Sequence, residues 1–360
     1  MTTLLTMTTL HALEIPFYVG TSPVPGKQNG ILLSSLDSNS GKISSPVPVA
    51  DIQGPGFLAQ SGDGRFLYAT IEKEAGEVAA FEIQDDRSLR LLNTQPSGGK
   101  LPCHVWAAPG YLLVSNYTEG NVTCLPILPD GSLGGEMADM AFTGKGPNPK
   151  RQKKSYAHGA AVTPDGRFVY VCDLGSDQVW ILRMGQKSGQ LEFGDPASGK
   201  VPPGGGPRHL VLNAPGDFLY VNNEMGMSVS AFERNPQTGA LRLVQTIPTL
   251  PDGATLDGAT TSGLVLHPTG KWLYVSNRGH NSITVYGVAG DGTLEFLQNV
   301  PAGVGMPREF LIDPSGRWLV VGGQADGGIA SMKIHATEGT LTPADRIETG
   351  TAPVTFSFLR

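Results

Sequence analysis

The sequence predicts an all-β chain folded as a seven-bladed propeller of four-stranded antiparallel blades, and three observations carry that prediction. First, an apolar strand recurs seven times at intervals of about fifty residues. The copies are Phe17-Tyr18-Val19-Gly20, Phe66-Leu67-Tyr68-Ala69, Leu112-Leu113-Val114-Ser115, Phe168-Val169-Tyr170-Val171, Phe218-Leu219-Tyr220-Val221, Trp272-Leu273-Tyr274-Val275 and Trp318-Leu319-Val320-Val321. Second, the spans between them carry turn signals for several short strands, while helical periodicity is almost absent. Third, the two ends of the chain complement each other and set the number of blades.

The fifth blade shows the pattern most clearly. Strand a is expected over Arg208–Leu212, b over Phe218–Asn222, c over Ser228–Glu233 and d over Leu241–Thr246. The turn Asn235-Pro236-Gln237-Thr238-Gly239 supplies the Pro and Gly that a c–d hairpin needs. The a–b turn Ala214-Pro215-Gly216-Asp217 recurs as Ser61-Gly62-Asp63-Gly64, Pro164-Asp165-Gly166, Pro268-Thr269-Gly270 and Pro314-Ser315-Gly316. At the N-terminus the chain begins directly with a b-type strand, Phe17–Gly20, then c over Gly30–Ser35 and d near Val47–Ile52. The missing a strand lies at the far end, where Ala352-Pro353-Val354-Thr355-Phe356-Ser357-Phe358 matches Gly206–Leu212 in register. One blade is thus shared by both termini, which removes an exposed sheet edge. The expected organisation is a flexible tail, 1–14, and one propeller domain, 15–360.

Composition agrees. Of 360 residues, 48 are Gly and 28 are Pro, a mixture suited to many strands joined by tight turns. A hydrophobic content of 39% is enough for a core distributed between blades. The formal charge of −6 argues against nucleic-acid binding, which needs a basic face. Cys103, Cys124 and Cys172 form no CxxC pair and read as reduced thiols of a cytoplasmic protein. The apolar start, Met1–Leu13, is too short to span a bilayer and has no basic residue before it. No membrane partner and no cofactor are expected, and the chain is expected to be a monomer or weak homo-oligomer.

Strands a and b run antiparallel, so the start of a and the end of b share one end of the blade. Eight residues before the a–b turn glycines stand Gly56, His158, Arg208, Ser262 and Arg308; His104 falls near that place in the third blade and Val354 in the C-terminal strand. Three residues past the last apolar residue of each b strand stand Ser22, Glu72, Tyr117, Leu174, Glu224, Arg278 and Gln324. Asn116, Asn223 and Asn277 directly precede three of these, and Asp173 precedes Leu174. Alone, each has a plain explanation: an Arg pairs with a neighbouring carboxylate, a His bonds a carbonyl. Together they place three arginines, a histidine and a glutamate at one mouth, where like charges need an anionic partner. His209 points the other way on its strand and is expected to pack between blades. Trp272, Trp318, Phe168 and Phe218 are expected in the core. The basic segment Gly144–Lys154 breaks the repeat before His158; it is either a solvated loop or a lid that brings positive charge to an anionic ligand.

Four segments, Tyr156-Ala157-His158, Gly206-Pro207-Arg208-His209, Asn222-Asn223-Glu224 and Ser276-Asn277-Arg278, resemble the signature segments of the lactonase family of seven-bladed propellers. Gly146-Pro147-Asn148-Pro149 with Arg151-Gln152 is similar to the family's loop at that place. The resemblance runs from about Phe17 to Phe358. The family includes bacterial 6-phosphogluconolactonases and fungal carboxy-cis,cis-muconate cyclases, and the cyclases' catalytic His, two Arg and Glu map onto His158, Arg208, Arg278 and Glu224.

The resemblance implies hydrolysis of a sugar lactone, 6-phospho-D-glucono-1,5-lactone first. Glu224 or His158 would be the base, with Arg208 and Arg278 at the developing oxyanion or at the anionic substituent. Arg308, Arg151 and Lys154 are candidates for a distal phosphate. His104, Asn116, Tyr117, Asn223, Asn277 and Gln324 complete the expected substrate-binding set. A cycloisomerase acting on a carboxylated substrate would use the same constellation. A calcium-dependent lactonase would take oxygens from Glu224, Asn223, Asn277 and Asn116, against the repulsion of nearby arginines; no metal site is expected. A non-catalytic scaffold predicts mouth residues without collective chemistry.

Overall fold

A computed structural model describes residues 13–23, 29–185, 189–254 and 258–360. Most of the expected tail therefore lies outside the described residues, and Glu14 already opens the first strand. Among the described residues are 28 strands and no helix, arranged as seven four-stranded antiparallel sheets. Strands of the fifth blade run Pro207–Leu212, Phe218–Asn223, Ser228–Arg234 and Leu241–Pro248, within two residues of the expected bounds. The first blade has the order Pro353–Phe358, Glu14–Thr21, Ile31–Asp37, Val47–Ala50, with Val19 opposite Phe356. The C-terminal strand closes the ring, as the complementary ends require. It packs between the innermost strands Pro307–Ile312 and Leu58–Gln60 of its neighbours.

The core sits between blades rather than within one layer. Each cluster of buried apolar side chains joins neighbouring sheets, as when Phe168, Tyr170 and Ile181 of the fourth blade meet Leu219, Val221 and Phe232 of the fifth. The recurring tyrosines also join blades. Tyr170 donates its hydroxyl to Gly239 of the next blade's c–d turn (2.8 Å), as Tyr274 does to Gly339 (2.8 Å) and Tyr68 to Gly131 (3.1 Å). Gly239 has φ of 76°, and a Cβ there would come within 2.5 Å of the Phe168 ring. The turn glycine thus supplies both the left-handed conformation and a flat lid for the aromatic. Trp272, Trp318 and Phe168 are buried, as expected of core residues, while Phe218 is half-buried against the cluster of Tyr220 and Val275.

The innermost strands differ from ordinary strands in one respect that builds the site. Six of them carry one extra residue relative to their partners, with the pairing slipping between Pro102 and His104, Ala157 and Ala160, Pro207 and Leu210, Thr261 and Leu264, Pro307 and Phe310, and Pro353 and Thr355. Such a bulge re-aims side chains and leaves backbone groups without a ladder partner. Polar side chains at the end of strand b supply the missing acceptors: His209 N donates to Asn222 Oδ1 (2.8 Å) and Gly263 N to Ser276 Oγ (2.8 Å). That is why several of the recurring apolar strands end on polar residues.

Candidate active site

The bulges sort their residues between two ends of the central channel. Cys103, His158, Arg208 and Arg308 line a cavity of about 180 Å³ with Glu72, Leu101, Tyr117, Arg151, Glu224 and Arg278. Their immediate successors His104, His209 and Glu309 line the opposite cavity. The residue that the third blade's innermost strand gives to the first cavity is therefore Cys103. His104 faces the other mouth, because the extra residue of the bulge shifts it one place; it packs tilted against Phe57, ring centres 4.2 Å apart and planes at 40°. His209 likewise lies in the channel, not between blades, with its ring 5.1 Å from that of His158.

Glu224 is the centre of the charged cluster. Arg151 Nη2 donates to its Oε1 (2.6 Å), while Arg208 Nε and Arg278 Nη2 stand 3.2 and 3.1 Å from Oε2. Burial alone would raise this carboxyl, but the charges of Arg278, Arg208 and Arg151 overcome it and hold the group below the usual carboxylate range. The arginines thus have an internal counter-ion. Arg208 is braced from behind: its Nη1 donates to Ser262 O (2.8 Å) and lies 3.1 Å from His209 Nε2. Burial, then the neighbouring charges of Arg278 and Arg308, lower its guanidinium to about 10, still a cation at neutral pH. Arg308 stands apart from this cluster and faces Glu72 at 3.8 Å.

His158 is buried, and its Nδ1 has no hydrogen-bond partner among the described residues. Burial and the charges of Arg208 and Arg308 push its pKa well below the usual histidine value, so the imidazole is neutral. The chain leading into it is fixed by Asp173, whose Oδ1 accepts from Tyr156 N (2.8 Å). The basic segment is pinned beside the mouth at Gln152 and Arg151, while Lys145, Lys150, Lys153 and Lys154 are exposed to solvent. Buried Gln152 donates to Leu174 O (2.9 Å) and Asp177 Oδ1 (2.6 Å), and Asp177 also accepts from Gly206 N (2.8 Å), two residues before Arg208. One carboxylate therefore anchors both the segment carrying Arg151 and the approach to Arg208.

Several expected contacts are not made. Lys154 is exposed and lies over the Tyr156 ring, 5.9 Å from its centre, outside the cavity wall. Asn223 and Asn277 are fully buried and bond Ser228 and Ser230, and Ser282 and Thr284; Asn116 bonds Ser97 O. Successive strand residues face opposite ways, so Asn223 and Asn277 point into their own blades and Asn116 toward the end of the second blade, while Glu224 and Arg278 enter the channel. Gln324 does not line the cavity either. Tyr117 does, stacked on Tyr156 at 5.0 Å with its hydroxyl 3.5 Å from Arg151 Nη2. Among the described residues no group of three or more His, Cys, Asp and Glu side chains could hold a metal ion. Glu72 is the residue that sequence reasoning located without selecting. The signal was present: Gly56 stands where the other blades place His158, Arg208 and Arg308.

The family model for the lactonase, 7-bladed beta-propeller, matches residues 16–358. The chain belongs to this lactonase family. It is 34% identical to the 6-phosphogluconolactonase of Bacillus subtilis over 95% of this chain and 97% of that protein. It is 30% identical to the 6-phosphogluconolactonase of Formosa agariphila, covering 89% of this chain and 92% of the relative. The solved structure of a Pseudomonas aeruginosa periplasmic gluconolactonase superposes with a TM-score of 0.91 at 26% identity, covering 97% and 99% of the two chains. Within this lactonase fold, His158, Arg208, Glu224 and Arg278 share one cavity, and no helix among the described residues is long and apolar enough to cross a membrane.

Proposed function

We propose that the protein hydrolyses the ester bond of a sugar lactone in the charged mouth, with 6-phospho-D-glucono-1,5-lactone as the first substrate to test. The observation that carries this reading is a neutral imidazole, free at Nδ1, in the same small cavity as four guanidinium groups. His158 accepts a proton from water as the water oxygen attacks the lactone carbonyl. Arg208 and Arg278, preorganised by Glu224, face the negative charge that develops on the carbonyl oxygen. Glu224 is thereby the organiser and not the base, since three arginines hold it ionised and occupied. Arg308 and Arg151 are the groups at hand for an anionic substituent, Arg308 being the one not engaged by Glu224.

The names of the B. subtilis and F. agariphila relatives support a phosphorylated lactone; that of the P. aeruginosa relative supports gluconolactone. Arg308→Ala separates the two: it raises KM for the phosphorylated lactone and leaves gluconolactone little changed if Arg308 holds the phosphate. The test of the whole reading is lactone opening followed in a pH-stat against the spontaneous rate. Purified protein that leaves both lactones at background removes it. A muconate panel run in parallel tests the cycloisomerase alternative, which the same arginine clamp can serve. The three buried, unpaired thiols support a cytoplasmic location, checked by fractionation.

A further inference from the structure

The charged cavity contains two carboxylates whose surroundings differ. Glu224 is ion-paired to three arginines. Glu72 makes one ion pair among the described residues, to Arg308 at 3.8 Å, and its Oε1 is buried without a hydrogen-bond partner among them. It follows the strand Phe66–Ile71, in the place that Glu224 takes after the corresponding strand of the fifth blade. Its carboxyl reaches inward because Gly56 has no side chain: a Cβ on Gly56 would lie 1.9 Å from Glu72 Oε1 and 2.1 Å from its Cδ. The second blade thus fills the slot used elsewhere for His158, Arg208 and Arg308 with a carboxyl borrowed from the next strand.

Building on the lactonase reading, we infer that Glu72 is a further catalytic residue, the general acid that protonates the ring oxygen as the lactone opens. Attack by water forms the new C–O bond and sends one proton to His158. Collapse of the tetrahedral intermediate breaks the bond between the carbonyl carbon and the ring oxygen. That oxygen leaves with the electron pair and takes its proton from Glu72. The product acid releases its proton to solvent, and the proton on His158 returns to Glu72 through water, which restores both groups. Burial raises the Glu72 carboxyl above the usual carboxylate range, more than Arg308 and Arg208 lower it, whereas Glu224 is held below that range. Two carboxyls set apart by their environments take different roles.

The experiment compares the wild type with Glu72→Gln, Glu72→Asp and Gly56→Ala on 6-phospho-D-glucono-1,5-lactone and gluconolactone. Glu72→Gln is expected to lower kcat by about 10²-fold with KM little changed, the scale of a lost general acid. It should also remove the alkaline limb of the kcat/KM profile, because that limb reports loss of the acid's proton. Glu72→Asp should recover part of kcat and regain the limb. Gly56→Ala should reproduce the kcat loss by displacing the carboxyl with the chemistry of Glu72 intact. Binding of 6-phosphogluconate by calorimetry distinguishes a folded site from a collapsed one. If the wild type accelerates lactone opening and Glu72→Gln keeps both its kcat and its alkaline limb, the acid role is overturned alone. If the wild type accelerates neither lactone, the lactonase reading falls and takes this role with it.

Discussion

The two mouths of the channel are built from consecutive residues of the same strands, yet they differ in almost every property. Cys103 and His104, Arg208 and His209, Arg308 and Glu309 are neighbours in sequence; the first of each pair lines the charged cavity and the second the opposite one. The opposite cavity is about three times larger, 590 against 180 Å³, and its walls include Phe57, Trp106, Leu210, Leu264, Leu311 and Phe356. His209 and Glu309 form its polar floor, with Nδ1 and Oε2 3.3 Å apart. Gly159 and Gly263 leave the room for them: a Cβ at Gly159 would lie 3.1 Å from His209 Cδ2, and one at Gly263 2.9 Å from Glu309 Oε1. Volume alone therefore misidentifies the site. What marks it is converging positive charge from four arginines, held together by Glu224 but only partly compensated by it.

Removing the shared counter-ion is the most severe test of that contrast. Glu224→Gln leaves Arg151, Arg208 and Arg278 without their anion, and breaking such a buried network costs about 3–5 kcal/mol. Urea unfolding should show that loss, and kcat/KM should fall by at least about 10³-fold as the guanidiniums splay. Next comes His158→Asn, expected to lower kcat by about 10²–10³-fold. The wild-type profile carries a further signature. Because the imidazole pKa lies well below its usual value, kcat/KM should not fall between about pH 7 and pH 5.5 as it does for an ordinary histidine base. A midpoint near 6.5 would contradict the neutral, desolvated imidazole.

The opposite mouth should respond in stability rather than turnover. Burial pushes the Glu309 carboxyl up to about 7, above its unfolded value of about 4.3. Through that window the folded state holds a proton that the unfolded chain has lost, so wild-type stability falls as pH rises from about 4.3 to 7. Glu309→Gln should flatten this slope, measured by urea midpoints at pH 5 and 7.5, with a smaller effect on kcat through His209 and Arg208. The smallest effects are expected at Trp106→Ala on the opposite rim and Lys154→Ala outside the charged wall, with kcat/KM within about twofold of wild type. A large loss in either would mean the boundary between the mouths is misplaced.

Much of this was legible before the structure, for identifiable reasons. Turn chemistry and the apolar repeat are local, so the fifth blade's strands could be bounded to within two residues. Blade equivalence brought His158, Arg208, Glu224 and Arg278 to one mouth. It failed at His104, Asn116, Asn223, Asn277 and Gln324, where the face a side chain takes depends on the bulge or on strand alternation at that point. Lys154 was read from the charge of its segment, but only Arg151 in that segment is carried inward by the Gln152 and Asp177 bonds. Glu72 was passed over because the slot it fills belongs, by register, to a glycine.

The number of blades and their closure by the two termini were decided by the sequence itself, since repeat, turn and register are properties of neighbouring residues. Which mouth a bulge residue faces, which carboxylate the arginines claim and which one burial raises were decided only by the tertiary structure. Those outcomes depend on burial and on distances of three to four ångströms between blades, where one residue of slippage exchanges an arginine for a histidine.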